Sequence, residues 1–277
     1  MATRATLRIA AGTACAMALA AVAQVGAADA PAAKERVGFA ADPAVHQAAQ
    51  VRRAPDRLRR AAPRPIASRP TSSVAWRARV VVPIHPRTAP RASARKLRLL
   101  NGQAPYNGNP EVLLVMGATT SVKHGVWYKV LLNSRPNDAA AWVPEAAVRV
   151  TRTRLRVLVD ISSRTISVFR ADRRVVRWRV AVGTRLNPTP EGRFAISEIV
   201  RQRNPRGFFG PVIMTLTAHS EKLNDFDGGD GRIALHGTSR PRLLGRAVSH
   251  GCVRLANRDI VRLARVASPG TPVDIVA

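Results

Sequence analysis

From about Trp76 onward the large apolar residues fall in short runs or alternate with polar ones, and turn-forming clusters separate the runs. That pattern predicts strands rather than helices. Val80-Val81-Val82, Glu111 to Met116 and Val126 to Leu132 are such runs, with Asn107-Gly108-Asn109-Pro110 and Arg135-Pro136-Asn137-Asp138 as the breaks. Several short strands in about 75 residues suggest a small barrel. Further on, Arg156 to Ile161, Thr165 to Arg170 and Val175 to Val182 read as successive strands joined by Ser162-Ser163-Arg164 and Ala171-Asp172-Arg173 turns, and Phe194 to Val200 and Ile233 to His236 extend the sheet.

One helix interrupts the strands. Asn257 is placed to cap it, Ile260, Val261, Leu263, Ala264, Val266 and Ala267 form its apolar stripe, and Ser268-Pro269-Gly270 stops it before a last strand from Thr271 to Val276. The fold class expected is therefore mainly β: a small β barrel over 76–150, then a second β domain over 151–277 with a C-terminal helix.

The segments before Trp76 have a different character. Arg4 and Arg8 precede a run of small apolar residues to Val25, and Val25-Gly26-Ala27 is a small-residue cleavage pattern, so residues 1–27 read as a secretory signal peptide. The rival reading is an uncleaved anchor, against which the many alanines, Gly12, Thr13 and Gln24 weigh, since a span needs about 20 strongly apolar residues. Residues 28–75 are rich in Pro, Ala and Arg without sustained periodicity and read as a solvated, disordered basic tether, with room for a short helix near 45–58.

Charge sharpens the setting. Lys and Arg number 45 against 17 Asp and Glu, a formal net charge of +28. All but five of the basic residues are Arg and they are spread along the chain, without aromatic interleaving or a recognised base-reading motif, so nucleic acid is not the expected partner. An exported basic chain meets anionic cell-wall polymers or lipid headgroups. A G+C-rich genome is an equally good source of the Ala and Arg excess.

Removal of a signal peptide would take Cys15 and leave Cys252 alone in an oxidising compartment, where cysteines normally pair. A solitary exported thiol is an accident, a small buried hydrophobe or a reagent. As a reagent it needs a base or a positive neighbour, because at neutral pH only a few per cent of an ordinary thiol is ionised. His250 stands two residues upstream, and His236 sits at the end of an apolar run with Gly237 after it, where the chain can turn back and bring Cys252 alongside. Gly251 lets the backbone amides around 250–252 approach the oxygen of a carbonyl under attack, and Arg254 can fork onto a carboxylate. Together these residues suit acyl transfer on a peptide with a free carboxylate. The competing chemistry is a zinc site of His236, His250 and Cys252, without a CxxC or HExxH pattern to support it. The run Asp225-Phe226-Asp227-Gly228-Gly229-Asp230-Gly231 lacks the spacing of a calcium loop and reads as a solvated glycine turn.

The stretch ALHGTSRPRLLGRAVSHGCVRLAN, from Ala234 to Asn257, resembles the signature of the YkuD-type L,D-transpeptidases, and Thr189 to Phe194 (TPEGRF) and Gly270 to Val273 resemble two further segments of that family. The likeness extends over residues 151–277. It implies a YkuD-like β-sandwich with Cys252 as nucleophile, His236 as general base, the Gly237 carbonyl orienting the imidazole, His250 and Gly251 shaping the oxyanion pocket, Ser249 bracing the loop and Arg254 binding substrate carboxylate. It also implies peptidoglycan stem peptides as partners, export to the cell wall or periplasmic space, and no metal or other cofactor. A stem tetrapeptide would acylate the thiol with loss of D-alanine; an amine acceptor then gives a 3-3 crosslink, and water gives an L,D-carboxypeptidase. Separately, Trp127 to Val148 resembles the second half of bacterial SH3-like domains, although Asp138 and Ala141 stand where that pattern has turn glycines. The alternative from another class is a non-catalytic wall-binding protein. No role is expected for His85, His124 or His219; Trp127 and Trp142 read as barrel core, Trp178 as packing, and Arg240, Arg242 and Arg246 as solvated.

Overall fold

The structure is a computed structural model that describes residues 70–225 and 229–277. The expected signal peptide, nearly all of the tether and the possible helix near 45–58 lie outside the described residues. Five strands come first: β1 (Ala75–Val80), β2 (Val112–Ser121), β3 (Gly125–Leu131), β4 (Ala140–Pro144) and β5 (Val148–Thr153), forming one antiparallel sheet in the order β4-β3-β2-β1-β5. Then follow β6 (Leu155–Asp160), β7 (Thr165–Arg170), β8 (Arg173–Arg179), β9 (Val182–Gly183), β10 (Gly192–Arg201), β11 (Val212–His219), β12 (Arg232–His236), β13 (Ala247–Ser249), β14 (Val253–Arg254), α1 (Asn257–Val266) and β15 (Pro272–Val276). Eight of these make a second sheet in the order β14-β12-β11-β10-β15-β6-β7-β8, while β13 and β9 pair separately. Among the described residues, no helix is long and apolar enough to cross a membrane.

The pattern of burial explains both the matches and the misses. Alternation along β6 and β7 buries Val157, Val159, Ile166 and Val168, as a one-sided strand requires. The first strand ends at Val80 rather than running through the valine triplet: Val81 and Val82 are about half exposed, and Pro83 after them has no N–H for a ladder. Val175 to Val182 divides into the end of β8, a two-residue break in which Ala181 bridges to Arg254, and the start of the short β9. Several strands are left unread in the sequence, among them β4, β5 and β11, and β11 is central to the second sheet. Seven of its eight residues are buried, including Thr215, Thr217 and His219, so it lies covered on both faces and shows no alternation. Thr217 is accommodated there because its hydroxyl accepts the Ala195 N–H at 3.0 Å.

Helix α1 packs Ile260, Leu263 and Ala267 into the main core with Val261 and Ala264 beside them, while Val266, assigned to the same stripe, is 46% exposed. Asn257 does not cap it. The capping position belongs to Ala256, with no side-chain cap, and the Asn257 side chain is engaged elsewhere. The first sheet has its own core, in which Tyr128, Val130 and Val143 are fully enclosed. Trp127 is buried, and Trp142 and Trp178 are half-buried. A third cluster joins the two sheets: Ala75, Leu114 and Leu131 pack against Ala195 of β10. Polar contacts flank it, with Asn133 Nδ2 donating to Ser197 Oγ at 2.9 Å and the backbone N–H groups of Tyr106 and Asn107 donating to the buried Glu198 carboxylate at 3.1–3.3 Å.

Phe194, 1% exposed, is among the largest enclosed side chains of the main core. Phe194→Ala is expected to destabilise the protein by about 3–5 kcal/mol in denaturant unfolding, the usual cost of a large aromatic cavity; a loss below about 1 kcal/mol would contradict its central place.

Candidate active site

The turn between β12 and β14 assembles the site. β12 carries His236 to a strand end, the chain runs out through a short 3-10 turn at Pro241–Leu243 and through β13, and it returns as β14 parallel to β12. Leu235 lies beside Val253 and His236 beside Arg254, and the Leu255 N–H donates to the His236 carbonyl at 2.8 Å. Because strand side chains alternate, Leu235 and Val253 both point into the core, and His236 and Arg254 share the opposite face with Ala234 and Cys252. The parity of two short strands thus places the thiol and the imidazole on one surface. Cys252, His236, Ser249, His250 and Arg254 all line one narrow cleft of about 30 Å³, with Phe208, Phe209, Ser220, Leu223, Gly231, Arg232 and Ile233 as its other walls.

His236 is 1% exposed and tightly oriented. Its Nδ1 lies 2.6 Å from the Gly237 carbonyl oxygen; a carbonyl can only accept, so in the neutral ring Nδ1 carries the proton and Nε2 keeps its lone pair. The rings of Phe209 and Phe208 lie 5.1 and 6.0 Å away. Burial pushes the imidazole down to about 4; the Gly237 and Phe209 carbonyls oppose that shift and the Arg254 charge adds to it. The turn itself admits no side chain: a Cβ on Gly237 would lie 2.4 Å from Asn257 Oδ1 and 2.9 Å from Pro211 Cδ. Asn257 explains its failure to cap α1, since its Oδ1 accepts the Thr238 N–H at 2.7 Å and its Nδ2 donates to the Pro205 carbonyl at 3.4 Å.

Cys252 is half-buried and unpaired, and its thiol points to the Arg232 carbonyl at 4.0 Å. Burial pushes the thiol up from its ordinary value, while the Ala234 N–H and the Arg254 charge pull the other way. The loop beneath it is rigidly tied. Ser249 Oγ accepts the Gly251 N–H at 3.1 Å and donates to the Cys252 carbonyl at 2.5 Å. Thr189 Oγ1 donates to the Gly251 carbonyl at 2.8 Å and accepts the Gly183 N–H at 2.9 Å. Gly251 holds φ at 117°, where L side chains are strained, and a Cβ there would meet Ile233 Cδ1 at 2.8 Å. Its N–H is committed to Ser249 in this state. His250 is exposed at the rim.

Arg254 is 7% exposed, lies 4.9 Å over the Phe208 ring, and has a buried Nε without a hydrogen-bond partner. A buried guanidinium with spare donors suits a ligand carboxylate. Arg240, Arg242 and Arg246 are exposed. Among the described residues no three His, Cys, Asp or Glu side chains converge as a metal-binding group. The acidic run departs from a plain solvated turn at Asp230, whose carboxylate pairs with Arg232 at 2.7 Å and with His219 Nε2 at 3.2 Å. His219, expected to have no role, is 2% exposed there at the end of β11. Sequence reasoning passed over Asn257, Phe208 and Phe209 as site residues and gave Thr189 no task, although Thr189 lies inside TPEGRF and Asn257 closes the longer motif.

The electrostatics give an expected outcome for the free protein. With the thiol held up and the imidazole held down, the resting pair is neutral, so alkylation of Cys252 by iodoacetamide should be slow at neutral pH and climb into the alkaline range above the ordinary thiol value. A rate already at plateau between pH 6 and 8 would indicate a preformed thiolate and contradict this electrostatic picture.

Comparison with known proteins bears on the last part of the chain. Residues 154–275 match the model of the YkuD L,D-transpeptidase catalytic domain. The YkuD protein of Bacillus licheniformis is 37% identical over 120 residues and that of Bacillus subtilis 35% over 119, and each alignment covers 43% of this chain and 64% of the relative. The chain thus spans just under two thirds of those relatives' length. An L,D-transpeptidase structure from Mycobacterium smegmatis aligns with 60% of this chain and 91% of its own, at 17% identity and a TM-score of 0.35. From β6 to β15, with the HGT and SHGC segments brought together where β12 pairs with β14, residues 154–275 match the catalytic domain of the YkuD family of L,D-transpeptidases.

Proposed function

We propose that the protein is a peptidoglycan L,D-transpeptidase in which Cys252 is the nucleophile and His236 the general base. The observation that carries this reading is the parallel pairing of β12 with β14, which sets Cys252, His236 and Arg254 on one face around a narrow cleft. In the first half-reaction His236 Nε2 takes the thiol proton as sulfur attacks the carbonyl carbon of the third residue of a stem tetrapeptide. The developing oxyanion is met by backbone amides beside Gly251, where one donor is typically worth about 3 kcal/mol. Arg254 holds a substrate carboxylate. Collapse of the tetrahedral species breaks the peptide bond; His236 returns its proton to the departing D-alanine amine, and the acyl group stays on sulfur as a thioester.

In the second half-reaction an acceptor amine enters, gives its proton to His236 and takes the acyl group, releasing the thiol. The side-chain amine of another stem gives a 3-3 crosslink, and water in its place makes the same site an L,D-carboxypeptidase. A neutral resting pair suits this chemistry. Proton transfer is coupled to attack, and no thiolate is left standing in an oxidising compartment. The Gly237 carbonyl fixes the ring, and Ser249 with Thr189 holds the loop.

The rest of the chain fits export to the wall: residues 1–27 as a signal peptide, 28–75 as a basic tether that holds anionic wall polymers, 76–150 as an SH3-like module and 151–277 as the catalytic domain. Cys252→Ala is expected to abolish D-alanine release from a tetrapeptide stem, and His236→Ala to slow it at least a hundredfold or so. Retained turnover without the thiol would overturn the mechanism, and a His236→Ala rate within a few-fold of wild type would move the base to His250.

A further inference from the structure

The connection between β3 and β4 reaches across to the catalytic cleft, although its Arg-Pro-Asn-Asp cluster reads in sequence as a turn and nothing more. Arg135 spreads its guanidinium over three backbone carbonyls: Nη1 donates to Ser220 at 2.6 Å, and Nη2 donates to Leu223 and to Asp230, each at 3.0 Å. Two residues later Asn137 pairs with both backbone groups of His219, its Nδ2 donating to the carbonyl at 2.9 Å and its Oδ1 accepting the N–H at 2.7 Å. These targets belong to the two limbs of the segment that joins β11 to β12. The limbs are tied to each other by Ser220 N–H donating to the Gly231 carbonyl at 2.8 Å. Ser220, Leu223, Gly231 and Arg232 are a wall of the cleft, and the Arg232 carbonyl is the group that receives the Cys252 thiol.

We propose that Arg135 and Asn137 are positioning residues of the catalytic site: the first β module straps the β11–β12 segment in place and so sets the width of the cleft into which the stem peptide must fit. Planar, forked donors are what this task needs. One lysine ammonium cannot meet carbonyls on both limbs in fixed directions, whereas a guanidinium can. The neck is filled, since a Cβ on Gly231, which holds φ at 72°, would lie 2.1 Å from the Leu223 carbonyl oxygen and 2.9 Å from Arg135 Nη2. A second contact runs alongside, where the Tyr106 ring lies 5.6 Å from the Arg232 guanidinium and its backbone N–H is held by Glu198. The cleft is only about 30 Å³, so small displacements of this wall matter to a peptide and little to a small reagent.

The proposal rests on Cys252 being the nucleophile, and the test separates the two. Wild type, Arg135→Ala and Arg135→Lys are compared in the full chain by amide hydrogen exchange over residues 219–225, by KM and kcat for D-alanine release from a tetrapeptide, and by the rate of iodoacetamide alkylation. In Arg135→Ala, exchange over 219–225 is expected to rise and KM to increase about tenfold, as misplacement of a binding wall does, with alkylation and its pH profile unchanged; Arg135→Lys falls between. Exchange and KM within twofold of wild type overturn the strap, as does faster exchange with an unchanged KM. A parallel change in alkylation would assign Arg135 a general structural role and likewise overturn it. Should Arg135→Ala fail to fold, Asn137→Ala, which leaves the guanidinium in place, is read by the same criteria. Wild type that releases no D-alanine would sink the transpeptidase reading alone, and exchange over 219–225 would still decide whether the strap exists.

Discussion

The site depends on one pairing: two residues of β14 lying parallel to two of β12. That ladder is short, yet it fixes parity, and parity decides which side chains share a face. A slip of one residue would turn Arg254 and Cys252 into the core and expose Leu255 and Val253 to the cleft. The apolar residues guard against it, since Leu235, Val253 and Leu255 are all fully enclosed and α1 packs below them through Ile260 and Leu263. The reactive face is therefore held in register by the unreactive one. The missing side chains of Gly210 and Gly237 let the turn close on Asn257, where either Cβ would lie 2.4 Å from its Oδ1.

Burial then sets the chemistry. The same enclosure that orients His236 and the thiol disfavours charge on both, so neither partner is ionised in advance. In the proposed mechanism the proton would move only as the sulfur attacks a carbonyl carbon. Arg254 favours thiolate and disfavours imidazolium. A substrate carboxylate bound there, as proposed, would join its own recognition and the activation of the nucleophile at one guanidinium.

Much of this was legible in the sequence because the residues that make it are chemically conspicuous. A cysteine two residues after a histidine, a glycine between them and a second histidine at a strand end point to one another in the sequence alone. Strands with one wet face such as β6 and β7 were legible by their alternation, and β11, covered on both faces, was not. Asn257 was misread because a helix start and a turn brace use the same residue type, and only the distance to Thr238 tells them apart. Arg135 and Asn137 carried no signal at all: their partners are backbone carbonyls and an amide some 80 to 95 residues away, which no side-chain pattern marks. Asp230 was hidden likewise, its partner His219 lying on the unread strand.

The most direct test of the central claim is acid-quenched intact-protein mass spectrometry of the full chain mixed with a stem tetrapeptide, followed by peptide mapping. The account predicts a gain equal to the tripeptide acyl group, carried by the peptide containing Cys252 and released by a thiol or amine. Turnover of the tetrapeptide with Cys252 never acylated, or acylation of another residue, would contradict it.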